Sequence, residues 1–126
     1  MQRWIGRWLV GVGVMHSLLG LFVFAAPLRE LIGAGWLNVL GSRDPMRSLA
    51  FWFLFAGVFI CLAGYLIDWI ERLPGAMIPR PVGWALLVTA TVGVLLAPVS
   101  GFWLAFPAAI GVLVQRRRAA RRPPAA

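Results

Sequence analysis

The sequence has few of the residues from which catalytic and metal sites are usually built. Its 126 residues include one cysteine, one histidine and four acidic residues, and all twelve basic residues are arginine. A single cysteine, Cys61, excludes an intramolecular disulfide. The acids are scattered, and no histidine or cysteine spacing suits a metal ion. We therefore predict no catalytic residue, no metal site and no cofactor.

What the chain does contain is mostly apolar. Hydrophobic residues make up 61% of it and charged residues 13%, with 14 glycines, and the mean hydropathy is +0.85. A soluble domain is close to half apolar and a quarter charged. Because too few polar side chains remain to cover a water-soluble globule, lipid is the expected solvent. The sequence therefore predicts an integral membrane protein.

Uncharged stretches predict how often the chain crosses the membrane. Residues 8–26 and 49–67 are uncharged over 19 residues each, which is about 28 Å of helix and enough for one pass. Residues 81–114 are uncharged over 34 residues, about 51 Å as one helix and too long for a hydrocarbon core of about 30 Å. The Pro-Val-Ser-Gly segment at 98–101 predicts a break into two passes. A shallow re-entrant pair is the alternative.

The expected fold is an all-α, integral membrane four-helix bundle in one domain, residues 1–115. Short antiparallel helices are expected at about residues 4–26, 47–70, 81–97 and 101–115, the last two joined as a tight hairpin. Leucine, isoleucine and tryptophan at three- and four-residue spacing predict an amphipathic interfacial helix in the first loop, residues 27–47. Asp44 and Pro45 suit the cap and first turn of the second spanning helix. Residues 116–126 are expected to form a disordered, Arg- and Pro-rich cytoplasmic tail.

The arginines predict the orientation in the membrane. The N-terminal segment, the second loop and the C-terminal tail together hold nine, and the first loop holds three. Because arginine-rich segments remain in the cytoplasm, both termini are predicted to be cytoplasmic. The tail arginines are also expected to attract anionic lipid; they are Arg116, Arg117, Arg118, Arg121 and Arg122. A nucleic-acid role is not expected, because no aromatic residues are interleaved with them.

Two roles are open for His16. It lies near the middle of the first helix, where an ionisable group is costly and often functional. As a functional group it would anchor a ligand or relay a proton, with Trp103 and Phe106 lining a lipophilic cleft. As a structural group it would be neutral and make an interhelical hydrogen bond.

Small residues predict which helices pack together, because they let two helices approach closely. The two predicted faces are Gly13 and Gly20 on the first helix, and Gly57, Cys61 and Gly64 on the second. The second face ends at Asp68, for which we predict an i, i+4 ion pair with Arg72 at the cytoplasmic end of the helix.

Three short motifs resemble a family of small four-helix bacterial membrane proteins that is classed only as a domain of unknown function. They are Gly-Val-Met-His at 13–16 followed by Gly20, Phe-Trp-Phe-Leu at 51–54 followed by Gly57, and Pro-Val-Ser-Gly-Phe-Trp at 98–103. The resemblance implies a location in the bacterial inner membrane and no established activity.

These observations favour a non-enzymatic membrane partner, assembly or adaptation factor. The alternative is a carrier or binder of a lipophilic or protonatable small molecule that uses His16 at the midplane. Intramembrane catalysis is less favoured, since a lone histidine needs a partner to act as an acid or base. The expected partners are the lipid bilayer, including anionic lipids, and a second copy of the chain or another membrane protein.

Overall fold

The computed structural model describes residues 4–35, 40 and 44–120, with the backbone alone for residues 116–120. Within these residues the chain is all-helical and contains no strand, which confirms the all-α part of the predicted fold. Five α-helices follow one another: α1 (Ile5–Val23), α2 (Ala25–Gly33), α3 (Pro45–Arg72), α4 (Arg80–Leu96) and α5 (Ala105–Ala120). A 3₁₀ turn, Gly101–Leu104, leads into α5.

α1 and α2 are separated by a single residue, Phe24. Its backbone N–H still donates to the Gly20 carbonyl at 2.9 Å, but its φ of −102° and ψ of 23° depart from the helical values and turn the chain. α2 lies in the loop for which a short amphipathic helix is predicted. Leu28 and Leu31 are half-buried there, while the charged side chains between them are exposed. Residues 36–39 and 41–43 of that loop lie outside the described residues.

α3 is the longest element, with 28 residues. Asp44 Oδ1 accepts hydrogen bonds from the backbone N–H groups of Met46 at 3.1 Å and Arg47 at 3.3 Å. Pro45 occupies the first helical position, where its missing N–H costs nothing. The predicted cap is therefore confirmed. α3 exceeds the expected range of 47–70 by two residues at each end.

The long apolar stretch is divided at the segment that the sequence indicates. α4 ends at Leu96. In the turn that follows, the Ser100 hydroxyl donates to the Ala97 carbonyl at 2.6 Å, and the Trp103 indole N–H donates to the Pro98 carbonyl at 2.9 Å. These two bonds give partners to carbonyls beyond the end of α4. Because the 3₁₀ turn occupies residues 101–104, α5 begins four residues later than the expected start at 101.

α5 continues to Ala120, which corrects the expected start of the disordered tail at residue 116. Alanine and arginine both favour helix, so the sequence offers no reason for the helix to stop at 116. Arg116, Arg117 and Arg118 are therefore part of the helix backbone. Arg121 and Arg122 lie outside the described residues.

The buried core lies where α1 begins and α3 ends. It combines side chains from α1, α3, α5 and the loop between α3 and α4: Ile5, Leu9, Ile67, Ile78, Ala108 and Val112. The Trp8 indole N–H donates to the Leu104 carbonyl at 2.8 Å and ties α1 to the hairpin of α4 and α5. These contacts of the hairpin with α1 lie within residues 5–9.

Candidate functional site

α1 and α3 run antiparallel and approach each other most closely at glycines. A Cβ atom on Gly13 would lie 2.8 Å from the Cys61 backbone nitrogen and 3.0 Å from the Gly57 carbonyl oxygen. A Cβ atom on Gly64 would lie 2.6 Å from the Val10 backbone nitrogen. Since the obstructing atoms are backbone, any larger residue must push the helices apart. The structure thus brings the two predicted small-residue faces together.

Each face continues one step further than the sequence analysis recognised. The spacing is seven residues in both helices: Gly6, Gly13 and Gly20 in α1, and Gly57, Gly64 and Glu71 in α3. A seven-residue repeat keeps one face turned towards a partner helix. Extending each repeat by one step would have found Gly6 and Glu71.

Glu71 closes the interface at the start of α1. Its Oε2 atom accepts a hydrogen bond from the Gly6 backbone N–H at 3.1 Å, and the residue is only 8% exposed. Trp4, at the capping position of α1, supplies no side-chain cap. The carboxylate of α3 therefore satisfies a free N–H group of α1 and brings negative charge to the positive end of its dipole.

Asp68 pairs with two arginines at the same end. Arg72 Nε donates to Asp68 Oδ2 at 2.9 Å, and Arg7 Nε lies 3.4 Å from Oδ1. The Asp68 side chain is 10% exposed, whereas both arginine side chains are more than half exposed. The structure thus places Asp68 and Arg72 in contact, as the spacing predicts. It adds Arg7, which the sequence analysis missed because Arg7 belongs to the other helix.

The His16 imidazole is held against α3. Its Nε2 atom lies 3.0 Å from the Phe53 carbonyl oxygen. Because a carbonyl only accepts, Nε2 carries the proton in this bond. The ring also stacks on the Phe53 ring, with centroids 4.0 Å apart and planes 13° from parallel. Phe53 also contacts Phe24 and packs on Gly20, so one side chain of α3 contacts three residues spaced four apart, from His16 in α1 to the residue that follows the helix.

Trp103 and Phe106 lie at the hairpin turn and the start of α5. Their ring centroids are 5.8 Å apart, and the Trp103 indole is bonded to the Pro98 carbonyl. In the described part of the chain, no hydrogen bond or ring contact links either residue to His16. The structure does not bring these three residues together.

A model described as "Family of unknown function (DUF6463)" matches residues 1–119. The chain belongs to this family. The resemblance to a domain of unknown function is thereby confirmed. No curated protein and no solved structure matches the chain.

DUF6463 has no described activity, so the function of this member has to be inferred from its geometry. The geometry shows α1 and α3 packed closely at glycines. Glu71 caps the start of α1 at one end of this interface, and His16 contacts Phe53 further along the two helices.

Proposed function

We propose that this DUF6463 protein is a multi-pass protein of the bacterial inner membrane. α1 and α3 are long and apolar enough to cross a membrane, and only 28% and 22% of their most apolar 18-residue windows are buried within the chain. The core helix of a soluble protein would be mostly buried. These helices instead expose large side chains, such as Phe22 at 85% and Trp52 at 59%. Such a surface is suited to lipid.

The proposal includes two further passes, formed by α4 and by the 3₁₀ turn with α5, which complete a four-helix bundle. α4 has 17 residues, about 25 Å of helix, at the short end of the spanning range. The hairpin tip is apolar and exposed, with Leu96 at 82% and Val99 fully exposed. The competing arrangement is a shallow re-entrant hairpin. It is favoured by the contacts of the hairpin with Ile5, Trp8 and Leu9, three residues near the start of α1.

Maleimide labelling of single cysteines distinguishes these arrangements. In a Cys61→Ala background, cysteine replaces one exposed residue at a time: Ala34, Leu73 or Val99. With four passes and cytoplasmic termini, a membrane-impermeant maleimide labels positions 34 and 99 in intact spheroplasts, and position 73 only after lysis. If position 99 also needs lysis, the hairpin is re-entrant. Labelling of 73 without 34 in intact spheroplasts would overturn the orientation.

Within the membrane we propose a non-enzymatic role as a partner or assembly factor of other membrane proteins. The observation that carries this proposal is that the His16 Nε2 atom is directed at the Phe53 carbonyl oxygen, 3.0 Å away. Ser17 and Cys61 are likewise directed at backbone carbonyls, those of Gly13 at 2.9 Å and Val10 at 3.7 Å. Polar side chains used in this way stabilise helices and helix pairs. The apolar outer faces of the helices are then the surfaces available to a partner or a second copy.

Native mass spectrometry from mild detergent tests this role against the ligand-binding alternative. We expect wild type and His16→Ala to carry no specific adduct other than phospholipid, and the variant to lose about 1 kcal/mol of stability with the interhelical hydrogen bond. Ser17→Ala is the matched control, since it removes a neighbouring hydrogen bond on the same helix and keeps the imidazole. A small-molecule adduct that is present in wild type and Ser17→Ala but absent from His16→Ala would overturn the proposal.

Photocrosslinking in cells tests for the partner itself. A photoreactive amino acid replaces Trp52, Phe59 or Leu95, three side chains that the chain leaves exposed. We expect a discrete protein adduct from at least one of these faces, either a second copy or another membrane protein. Adducts to lipid alone from all three positions would contradict a partner role.

A further inference from the structure

α4 and α5 enclose a groove on the outside of their hairpin. Its volume is about 380 Å³, and it is lined by Arg80, Trp84, Ile110, Leu113 and Val114. Trp84 is 57% exposed and Ile110 is 53% exposed, so the groove opens to the surroundings of the protein. Its floor is apolar, and Arg80, the first residue of α4, lies at one end.

Arg80 has no carboxylate partner among the residues that the structure describes. All four acids of the chain are described, and each is engaged elsewhere. Glu30 and Asp44 pair with Arg47, Asp68 pairs with Arg7 and Arg72, and Glu71 accepts the Gly6 N–H. The groove therefore combines an apolar floor with a cation that has no counter-ion in the part of the chain that the structure describes.

The sequence adds more positive charge at the same end of the hairpin. Arg117 and Arg118 follow Leu113 and Val114 by four residues, which is one turn further along α5. The whole chain has a formal net charge of +8. A second copy of the chain would therefore bring like charge to the groove, whereas an anionic amphiphile complements both its charge and its floor.

We propose that this groove binds one anionic phospholipid, with the phosphate at Arg80 and an acyl chain along Ile110, Leu113 and Val114. An arginine guanidinium matches a phosphate group in charge and in the geometry of its hydrogen bonds. The Trp84 indole suits the boundary between headgroup and acyl chain, where its ring is apolar and its N–H is polar. The site rests on the proposed membrane location, and Arg80 places the lipid in the cytoplasmic leaflet.

Lipid retention from a defined bilayer tests the proposal. Wild type, Arg80→Gln and Arg29→Gln are reconstituted into nanodiscs of equal parts phosphatidylglycerol and phosphatidylcholine, released into mild detergent and measured by native mass spectrometry. Arg29 is the matched control, because it is an exposed arginine on α2 that makes no ion pair with the described acids. We expect wild type and Arg29→Gln to retain phosphatidylglycerol preferentially, and the preference to fall about fivefold in Arg80→Gln.

A second variant tests the apolar floor. Ile110→Asn replaces an apolar side chain of the groove with a polar one. Because Ile110 is already half exposed, we expect the hairpin to retain its packing. We expect it to lower the retention of both lipids. Helix content by circular dichroism identifies any variant that fails to fold.

Two results would overturn the lipid site: an equal lipid preference in wild type, Arg80→Gln and Arg29→Gln, or displacement of the adduct by millimolar inorganic phosphate, which would indicate a site for free phosphate. Failure of the membrane location is measured separately, by release of the protein from membranes in alkaline carbonate. A chain that stays in the membrane without a lipid preference contradicts this inference alone.

Discussion

At the scale of single residues, packing is decided by positions that have no room for a side chain. Gly64 faces the Val10 backbone nitrogen and, at 2.9 Å from an added Cβ, the Gly6 carbonyl oxygen. Gly11 has nothing within 4 Å of an added Cβ, although it belongs to the same helix pair. The same residue type is therefore essential at one position and dispensable at the other.

Substituting alanine at these two glycines tests this difference. We expect Gly64→Ala to lower the free energy of unfolding by about 1–3 kcal/mol, because α1 and α3 must move apart. Gly11→Ala is expected to be neutral or to stabilise by up to about 1 kcal/mol, since alanine favours helix. Unfolding in mixed micelles of increasing dodecyl sulfate content measures both. Equal effects of the two substitutions would contradict the close approach at Gly64.

At the scale of elements, three helix ends obtain their hydrogen-bond partners in three different ways. The N-terminus of α3 is capped by Asp44, which directly precedes it. The turn after α4 is closed by its own Ser100 and Trp103. The N-terminus of α1 instead depends on Glu71, 65 residues away. The first turn of α1 is therefore stabilised by tertiary structure.

Glu71→Ala is expected to destabilise the start of α1. Loss of this buried, charge-assisted hydrogen bond costs about 1–2 kcal/mol, and amide hydrogen exchange should increase at residues 5–8. Glu71→Gln keeps a carbonyl oxygen as acceptor, so we expect a smaller loss. Glu30→Ala is the control, because its ion pair with Arg47 is exposed and contributes at most about 1 kcal/mol, with no effect expected on exchange at residues 5–8. An unchanged exchange rate at residues 5–8 in Glu71→Ala would show that the cap has no role.

At the scale of the whole molecule, the arginines are concentrated on one side of the proposed bundle. Nine belong to the N-terminal segment, the second loop and the tail, and three to the first loop. The tail supplies five of the nine, so it has the largest share in the orientation.

Replacing the five tail arginines by glutamine is expected to produce a mixed orientation. The bias then falls to four arginines against three, so cysteines at positions 34 and 73 should each be labelled in part from outside intact spheroplasts. The control replaces Arg29, Arg43 and Arg47 by glutamine, which increases the bias and should leave a single orientation. Unchanged labelling in the tail variant would show that the spanning helices themselves determine the orientation.

The sequence by itself determined the helical class, the Asp44 cap and the division of the long apolar stretch near Pro98. Each of these follows from neighbouring residues, namely apolar composition, a capping side chain or a helix-breaking proline, and such local effects can be read directly. It also predicted the faces of Gly13 and Gly57, because a repeat along one helix defines a face.

Only the tertiary structure decided which groups meet across those faces. His16 and Phe53 are 37 residues apart, and Gly6 and Glu71 are 65 apart. Their contacts depend on how far α1 slides and rotates against α3, and no local pattern sets this register. The same holds for the packing of the hairpin on α1, since the hydrogen bond from Trp8 to Leu104 joins residues 96 positions apart. The physical reason is that helix formation is governed by nearby residues, whereas helix docking depends on the combined shape of two surfaces.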